Sequence, residues 1–258
     1  MSGNVKTEKL KEVKTILISQ PQPSNKSPYH ELETRYGITI DFRPFIHVEP
    51  VSEKEFRRQR IRLDEYECVI FTSKNAIENF FRLSEETRVK VSAETKYFCL
   101  SEAIANYLQK FIIYRKRKVF VGRKTIEDLT SSILKHKAGN RFLLPCSNLG
   151  ALPVVEFLKK SQINFVESMM YRTVSSDLSD LADIKYDILV FFSPLGIQSL
   201  YENFPDFSQD ETRIAVFGNS TSKAVEERGL TINIQAPVPD APSMPMALEN
   251  YIKLSNKV

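Results

Sequence analysis

Residues 65–81 read "EYECVIFTSKNAIENFF", and residues 185–201 read "KYDILVFFSPLGIQSLY". Setting Ser73 on Ser193 gives an offset of 193 − 73 = 120, which brings Tyr66 onto Tyr186, Glu67 onto Asp187, Phe71 onto Phe191 and Ile77 onto Ile197. A second echo follows. "KYFCLSEAIANYLQK" from Lys96 resembles "RIAVFGNSTSKAVEERG" from Arg213 when Ser101 is set on Gly218, an offset of 117. An intervening loop absorbs the difference of three. One pair of similar strands arises easily by chance, because Val, Ile and Phe are common in strands. Two pairs in the same order make chance a poor account, so the chain carries a duplicated unit.

Each copy is an apolar run that ends in a small polar residue and enters a helical pattern at once. The same rhythm fills the chain. Strand-like runs ("KTILISQ", "ITIDFRPF", "ECVIFTS", "KYFCL", "KVFVG", "RFLLPC", "NFVESMMYRT", "DILVFFS", "RIAVF", "TINIQ") alternate with stretches of helical periodicity. Continuous apolar strands separated by helices predict parallel sheets covered on both faces, an α/β protein. The N-terminal strand and helix are too little for a domain of their own, so they are expected to return to the C-terminal half. That gives a discontinuous first domain over residues 13–45 and 172–258 and an inserted second domain over 46–171, with 1–12 a flexible tail. Both crossings, "DFRPFIHVEP" and "VESMMYRTV", are extended and β-rich and predict a two-stranded hinge; Pro44 and Pro50 disfavour helix on the outward one.

Composition narrows the function. A hydrophobic content of 42% and charged content of 26% over 258 residues are those of a globular protein. The longest apolar runs fall far short of the ~20 residues that cross a bilayer. The polar N-terminus has no apolar h-region, so no secretory signal is expected. Cys68, Cys99 and Cys146 are odd in number and each sits in an apolar run, the pattern of buried thiols in a reducing compartment. The cytoplasm is the expected location. A net charge of +4 is compatible with an anionic partner without requiring nucleic acid.

Strand-to-helix turns are where such a fold binds ligands, because the first helical N–H groups lack partners and the helix dipole adds positive potential there. Thr72, Ser73 and Ser193 either cap their helices or donate hydroxyls to a ligand. For a single serine, capping is the commoner role. Two equivalent turns in one chain shift the balance toward a ligand held by both domains.

Four motifs together, "FTSKNAIENF", "FFSPLGIQSL", the "YRT" at Tyr171 and "VFGNSTSKAVEERGL", resemble those of the uroporphyrinogen-III synthase family, from about Lys14 to Ile252. The last carries that family's Gly-x-x-Thr-Ala turn as Gly218, Thr221 and Ser222. The resemblance implies two flavodoxin-like α/β domains of the HemD kind, the second inserted into the first and joined by a two-stranded ladder. It implies a lyase that dehydrates hydroxymethylbilane, a linear tetrapyrrole with eight carboxylates. Such a lyase inverts ring D through a spiro intermediate and closes uroporphyrinogen III without metal or organic cofactor. The substrate would come from hydroxymethylbilane synthase, and the enzyme would work as a monomer without nucleic acid or membrane. The turns at Thr72–Ser73, Ser101–Glu102, Ser193–Pro194 and Gly218–Thr221 would face one cleft, with Asn219 and Ser220 also offered to the substrate.

The resemblance also singles out Tyr171, whose phenol would donate a proton or hydrogen bond to the departing hydroxyl. By position alone a tyrosine there is more often a packed aromatic with a satisfied OH. The chain departs from the family pattern in the middle domain, where Ser101 replaces the usual Gly and Ile104 the usual Thr, and again at Leu195, where a second Ser is often seen. No ligand role is carried to Ile104, whereas Ser101 keeps a hydroxyl.

The remaining features have plainer readings. The basic run "YRKRKVFVGRK" is expected to be a solvated edge, since no stacking aromatics interleave it as a nucleic-acid site would need. His30, His47 and His136 lack ligand spacing. "GNSTSK" lacks the pattern of a nucleotide-binding phosphate loop. A non-catalytic two-domain sensor of a polyanion would share the fold and cleft, and would leave a tetrapyrrole's isomer composition unchanged.

Overall fold

A computed structural model describes residues 11–25, 27–181 and 184–256. In chain order the elements are β1 (Thr15–Ile18), α1 (Pro28–Tyr36), β2 (Thr39–Phe42), β3 (Ile46–Pro50), α2 (Glu53–Arg58), β4 (Cys68–Phe71), α3 (Lys74–Glu86), β5 (Lys96–Cys99) and α4 (Glu102–Leu108). They continue with β6 (Val119–Val121), α5 (Thr130–Lys135), β7 (Phe142–Ser147), α6 (Leu152–Lys160), β8 (Phe165–Ser175) and β9 (Ile188–Phe191). The last are α7 (Pro194–Asn203), β10 (Arg213–Phe217), α8 (Asn219–Glu227), β11 (Ile232–Ala236) and α9 (Met244–Ser255). The α/β class read from the apolar runs is the observed one. The tail expected over residues 1–12 lies, up to residue 10, outside the described residues.

The chain divides into two compact units, residues 1–47 with 174–258, and residues 48–173. The first is built on a five-stranded sheet in the order β11-β10-β9-β1-β2, and the second on the order β3-β8-β7-β4-β5-β6. Pairing is parallel from β11 to β2 and along β8-β7-β4-β5-β6. The central strands are buried at every residue and send side chains to alternate faces, as pleating requires. In β4, Val69 and Phe71 enter the core under α3 and α4, while Cys68 and Ile70 enter the core under α5 and α6. In β9, Ile188 and Val190 face α1 and α9, while Leu189 and Phe191 face α7 and α8.

The duplication is deeper than the two echoes. Matching β4 with β9, β5 with β10 and β6 with β11 leaves β7 and β8 in the sheet positions of β1 and β2. Both units therefore share one five-strand order, and the first merely starts its chain at a different strand. Burial repeats as well: the sequence of buried and exposed positions is identical over 71–80 and 191–200, and over 101–110 and 218–227.

The chain passes between units in β3 and β8, which neighbour each other in the sheet. Ser176 N–H donates to Phe45 C=O at 2.9 Å and Val51 N–H to Met170 C=O at 3.1 Å. As one strand number rises the other falls, so this pair runs antiparallel.

Each unit ties its first edge of N–H groups to an acid ahead of the central strand. Asp187 Oδ2 accepts from Lys14 N–H at 2.8 Å and Thr15 N–H at 2.9 Å; Glu67 Oε2 accepts from Arg141 N–H at 2.7 Å. Burial raises the Asp187 pKa, but the Lys14 and Thr15 amides, the Arg213 guanidinium and the Thr15 hydroxyl together hold it below its ordinary 3.8. A depressed carboxyl stabilises the fold above its unfolded value and loses that contribution as pH falls through the folded one. Asp187→Ala is expected to cost about 2 kcal/mol at pH 7. In urea titrations between pH 7 and pH 3, the variant should also lose less stability than the parent over the acid end of that range.

The basic run is solvated at Arg115, Lys116 and Arg117, but Lys118 departs from that reading. It is buried, and its Nζ donates to Glu94 at 2.7 Å and to the Ala93 carbonyl. Among the described residues no helix is long and apolar enough to cross a membrane.

Candidate functional site

In an open α/β sheet the crevice for a ligand opens at strand C-termini where the strand order reverses. In the second unit that point lies between β4 and β7. The residues there are Thr72 and Ser73 from β4, and Ser147 and Asn148 from β7. Ser73 is the N-cap of α3, its Oγ accepting from Ala76 N–H at 3.1 Å. The same oxygen lies 2.9 Å from the Tyr171 phenol. Ser101, on the adjacent turn, caps α4 by accepting from Ile104 N–H at 3.4 Å.

Tyr171 reaches Ser73 because β8 is irregular. Cys146 pairs with Met169 and Ser147 with Tyr171, so Met170 is an extra residue, a β-bulge. In a regular strand adjacent side chains point to opposite faces; here Met170 and Tyr171 both pack into the core that holds Phe71 and Tyr97. The bulge re-aims the phenol across the top of β4. Tyr171 is 7% exposed, and burial pushes its pKa above 10 despite the lowering effect of the Ser73 bond. It is a neutral hydrogen-bond donor at any ordinary pH.

Proton counting defines what this pair can do. A serine hydroxyl has one hydrogen and two acceptor sites. Ala76 N–H occupies one acceptor site of Ser73. If Ser73 donates to Tyr171, the phenolic hydrogen is left for a ligand; if Tyr171 donates to Ser73, the serine hydrogen is left. Either way the pair presents one donor outward.

In the first unit the order reverses between β1 and β9. Ser193 caps α7, its Oγ accepting from Gly196 N–H at 3.2 Å. A Cβ at Gly196 would stand 3.3 Å from the Phe191 ring and 3.8 Å from the hydroxyls of both Ser19 and Ser193. Ser19, at the end of β1, thus accompanies Ser193. The apolar pattern marked Ser19 only as a strand end, and Ser147 and Asn148 were likewise unmarked; sheet order is the signal that finds them.

The β10 turn has no side-chain cap. Gly218 takes φ 86°, ψ 153°, a conformation essentially confined to glycine, with nothing within 4 Å of where a Cβ would be. Helix α8 therefore starts with uncapped amides at Asn219, Ser220 and Thr221, a ready anion site. Asn219 and Ser220 are exposed. Thr221 is fully buried, and its Oγ1 has no hydrogen-bond partner among the described residues. Gly218→Ala is expected to cost about 1–2 kcal/mol through backbone strain alone, read as a lowered urea midpoint with an unchanged slope.

The expected site residues thus fall on strand-end turns of their own units, Thr72, Ser73 and Ser101 in the second and Ser193 and Gly218–Thr221 in the first, except Tyr171, which lies within β8 of the second. Ser73 and Tyr171 are in direct contact. Cys68, Cys99 and Cys146 are free and buried, and burial pushes their thiols up to about 12, 12 and 11. Each histidine has a local partner: His30 with Ser27 at 3.0 Å, His47 with Ser176 at 3.1 Å, His136 with the Ser132 carbonyl at 2.8 Å. No group of three His, Cys, Asp or Glu able to hold a metal occurs among the described residues.

Known proteins are similar to this chain in sequence and fold. The chain is 24% identical over 254 residues to the uroporphyrinogen-III synthase of Chlorobaculum parvum, covering 93% of this chain and all of that one. The fold is similar to that of the Helicobacter pylori uroporphyrinogen-III synthetase (TM-score 0.61, 17% identity, 94% of this chain and 100% of that chain). It is also similar to a mutant uroporphyrinogen III synthase from Thermus thermophilus (TM-score 0.55, 15% identity, 95% and 100%). A profile described as uroporphyrinogen-III synthase HemD matches residues 27–245, well over half of the sequence. The chain belongs to the uroporphyrinogen-III synthase family.

Proposed function

We propose that the strand-end turns carry the family's reaction in this chain, the cyclisation of hydroxymethylbilane to uroporphyrinogen III. The observation that supports this reading is the hydrogen-bonded pair Ser73–Tyr171 at the sheet's switch point. In it Tyr171 donates to the hydroxyl that leaves the bilane as water. Thr72, Ser73 and Ser101 in one unit, and Ser193, Gly218, Asn219, Ser220 and Thr221 in the other, take substrate carboxylates through hydroxyls and helix-terminal amides.

Most of the rate comes from holding the two ends of a flexible chain in register, which lowers a barrier by several kcal/mol without a strong acid or base. Ring closure without that control gives the symmetric isomer. This suits a site whose donors are neutral and fixed by capping. The enzyme works as a monomer in the cytoplasm and takes its bilane from hydroxymethylbilane synthase; the mild positive charge suits that polyanion.

The deciding assay supplies freshly made hydroxymethylbilane to the purified protein and separates the oxidised porphyrin isomers. An excess of type III is expected. Type I alone would reject the reading in favour of a non-catalytic binder.

A further inference from the structure

We propose that two side-chain amides, Gln59 and Asn148, are the positioning residues that hold the β8 bulge and so aim Tyr171 at Ser73. The proposal rests on the reading of Tyr171 as the substrate-facing donor. Its geometry stands on separate observations.

Backbone pairing of β7 with β8 ends at Ser147 opposite Tyr171. There β7 turns away, Leu149 N–H donating to Ser147 Oγ at 3.2 Å and Gly150 N–H to Ser147 C=O at 2.9 Å. Beyond that point strand β8 has no backbone partner on that flank among the described residues. Asn148 supplies one with its side chain: Oδ1 accepts from Thr173 N–H at 2.8 Å, and Nδ2 donates to Thr173 C=O at 3.2 Å. A carboxamide carries the same donor and acceptor as a peptide group, so the ladder is extended by a side chain two residues beyond Tyr171.

The opposite flank repeats the device. Gln59, just after α2, accepts on Oε1 from Met169 N–H at 3.2 Å and donates from Nε2 to Met169 C=O at 2.7 Å. Its Oε1 also accepts from Ser168 Oγ at 3.2 Å. Met169 lies two residues before Tyr171. The bulge at Met170–Tyr171 is thus bracketed by two two-point amide clasps, one from the β3 side and one from the β7 side. Arg172 adds an ion pair to Glu55 of α2.

A bulge is a local choice of register, and a strand held on one flank by Val51 N–H to Met170 C=O but with its pairing to β7 ended at Tyr171 can shift locally by one residue, which would turn Tyr171 to the other face. The clasps exclude that slip. Displacing a reacting group by as little as ~1 Å can cost up to a hundredfold in rate.

Asn148→Ala and Gln59→Ala are each expected to lower kcat about tenfold with KM nearly unchanged. In a Tyr171→Phe background neither should lower it further, because the group they aim is gone. The second readout does not use activity: in protein labelled with ring-13C tyrosine, the Tyr171 signal should shift and its phenol titrate nearer 10 in both variants. Should Gln59→Ala fail to fold, Gln59→Glu keeps the acceptor and loses the donor to Met169, and serves the same comparison. Equal kcat losses in both backgrounds, or an unmoved Tyr171 signal, would overturn the proposal. If Tyr171→Phe itself leaves the rate unchanged, the donor reading fails, and the labelled signal still decides the clasps.

Discussion

Tyr171→Phe is expected to lower kcat about a hundredfold while leaving KM nearly unchanged, the pattern of an interaction made mainly in the transition state. The substitution isolates the phenol. Phenylalanine keeps the ring that packs beside Phe71 and Tyr97, so the bulge and its core are retained. What is lost is the bond to Ser73 and the phenol's own hydrogen, the Ser73 hydroxyl keeping its hydrogen at its own position; loss of one such bond costs about 1 kcal/mol of stability. A large rate effect beside a small stability effect therefore reports chemistry. The pH dependence carries a sign. Burial raises the phenol above 10, so the donor stays protonated throughout the neutral and mildly alkaline range. A group whose folded pKa is raised stabilises the fold fully below the unfolded value, and that contribution is lost as pH rises through the folded one. The parent rate should show no loss attributable to Tyr171 up to pH 10, and Tyr171→Phe should remove part of the alkaline loss of stability above it. Steady-state assays with fresh bilane, corrected for spontaneous closure, test this. An unchanged kcat removes Tyr171 from the mechanism.

Why was so much of this fold legible? The buried strands β4 and β9 are apolar at every residue, and each ends in a small polar residue that caps the next helix; pattern and capping agree, so the elements stand out. The correspondence of β4 with β9 and β5 with β10 was readable because the same turn chemistry recurs at matching spacing. The third correspondence, β7-α6-β8 with β1-α1-β2, was not. It joins the middle of the chain to its start, and in register "FLLP" from Phe142 and "ILIS" from Ile16 share a single leucine and a burial requirement. Tyr171 could be named from a motif, but its aim at Ser73 could not, because a one-residue bulge reverses facing and leaves no mark in an apolar-polar pattern. Gln59 and Asn148 were invisible for a related reason. An amide that replaces a backbone partner looks, in sequence, like any polar residue near a turn. Capping also masks the proposed site: Ser73, Ser101 and Ser193 all cap helices, and of the three only Ser73 shows a second bond that a cap does not need.

Thr221→Val is expected to raise stability and lower activity together. The equivalent position is Ile104 on α4, in a turn of identical burial, and Val154 occupies the like place on α6. The fold asks for an apolar branched residue there. Thr221 meets that demand with its methyl and violates it with a buried hydroxyl that has no partner. Leaving such a group unsatisfied costs about 1–2 kcal/mol, and valine, of nearly the same shape, removes the cost. Thermal unfolding should move up by about 2–5 °C. On the proposed reading, the cost next to Gly218, where no Cβ would cover the uncapped amides of α8, is offset by a partner that arrives with the substrate. One charge-assisted bond to a carboxylate contributes about 1.5–3 kcal/mol, so kcat/KM should fall roughly ten- to a hundredfold in the valine variant. Thr221→Ser separates the two terms: it keeps the hydroxyl and loses the methyl, so it should retain most activity while losing stability. A more stable valine variant with parental kcat/KM would show that the hydroxyl serves no ligand, and Thr221 would leave the site.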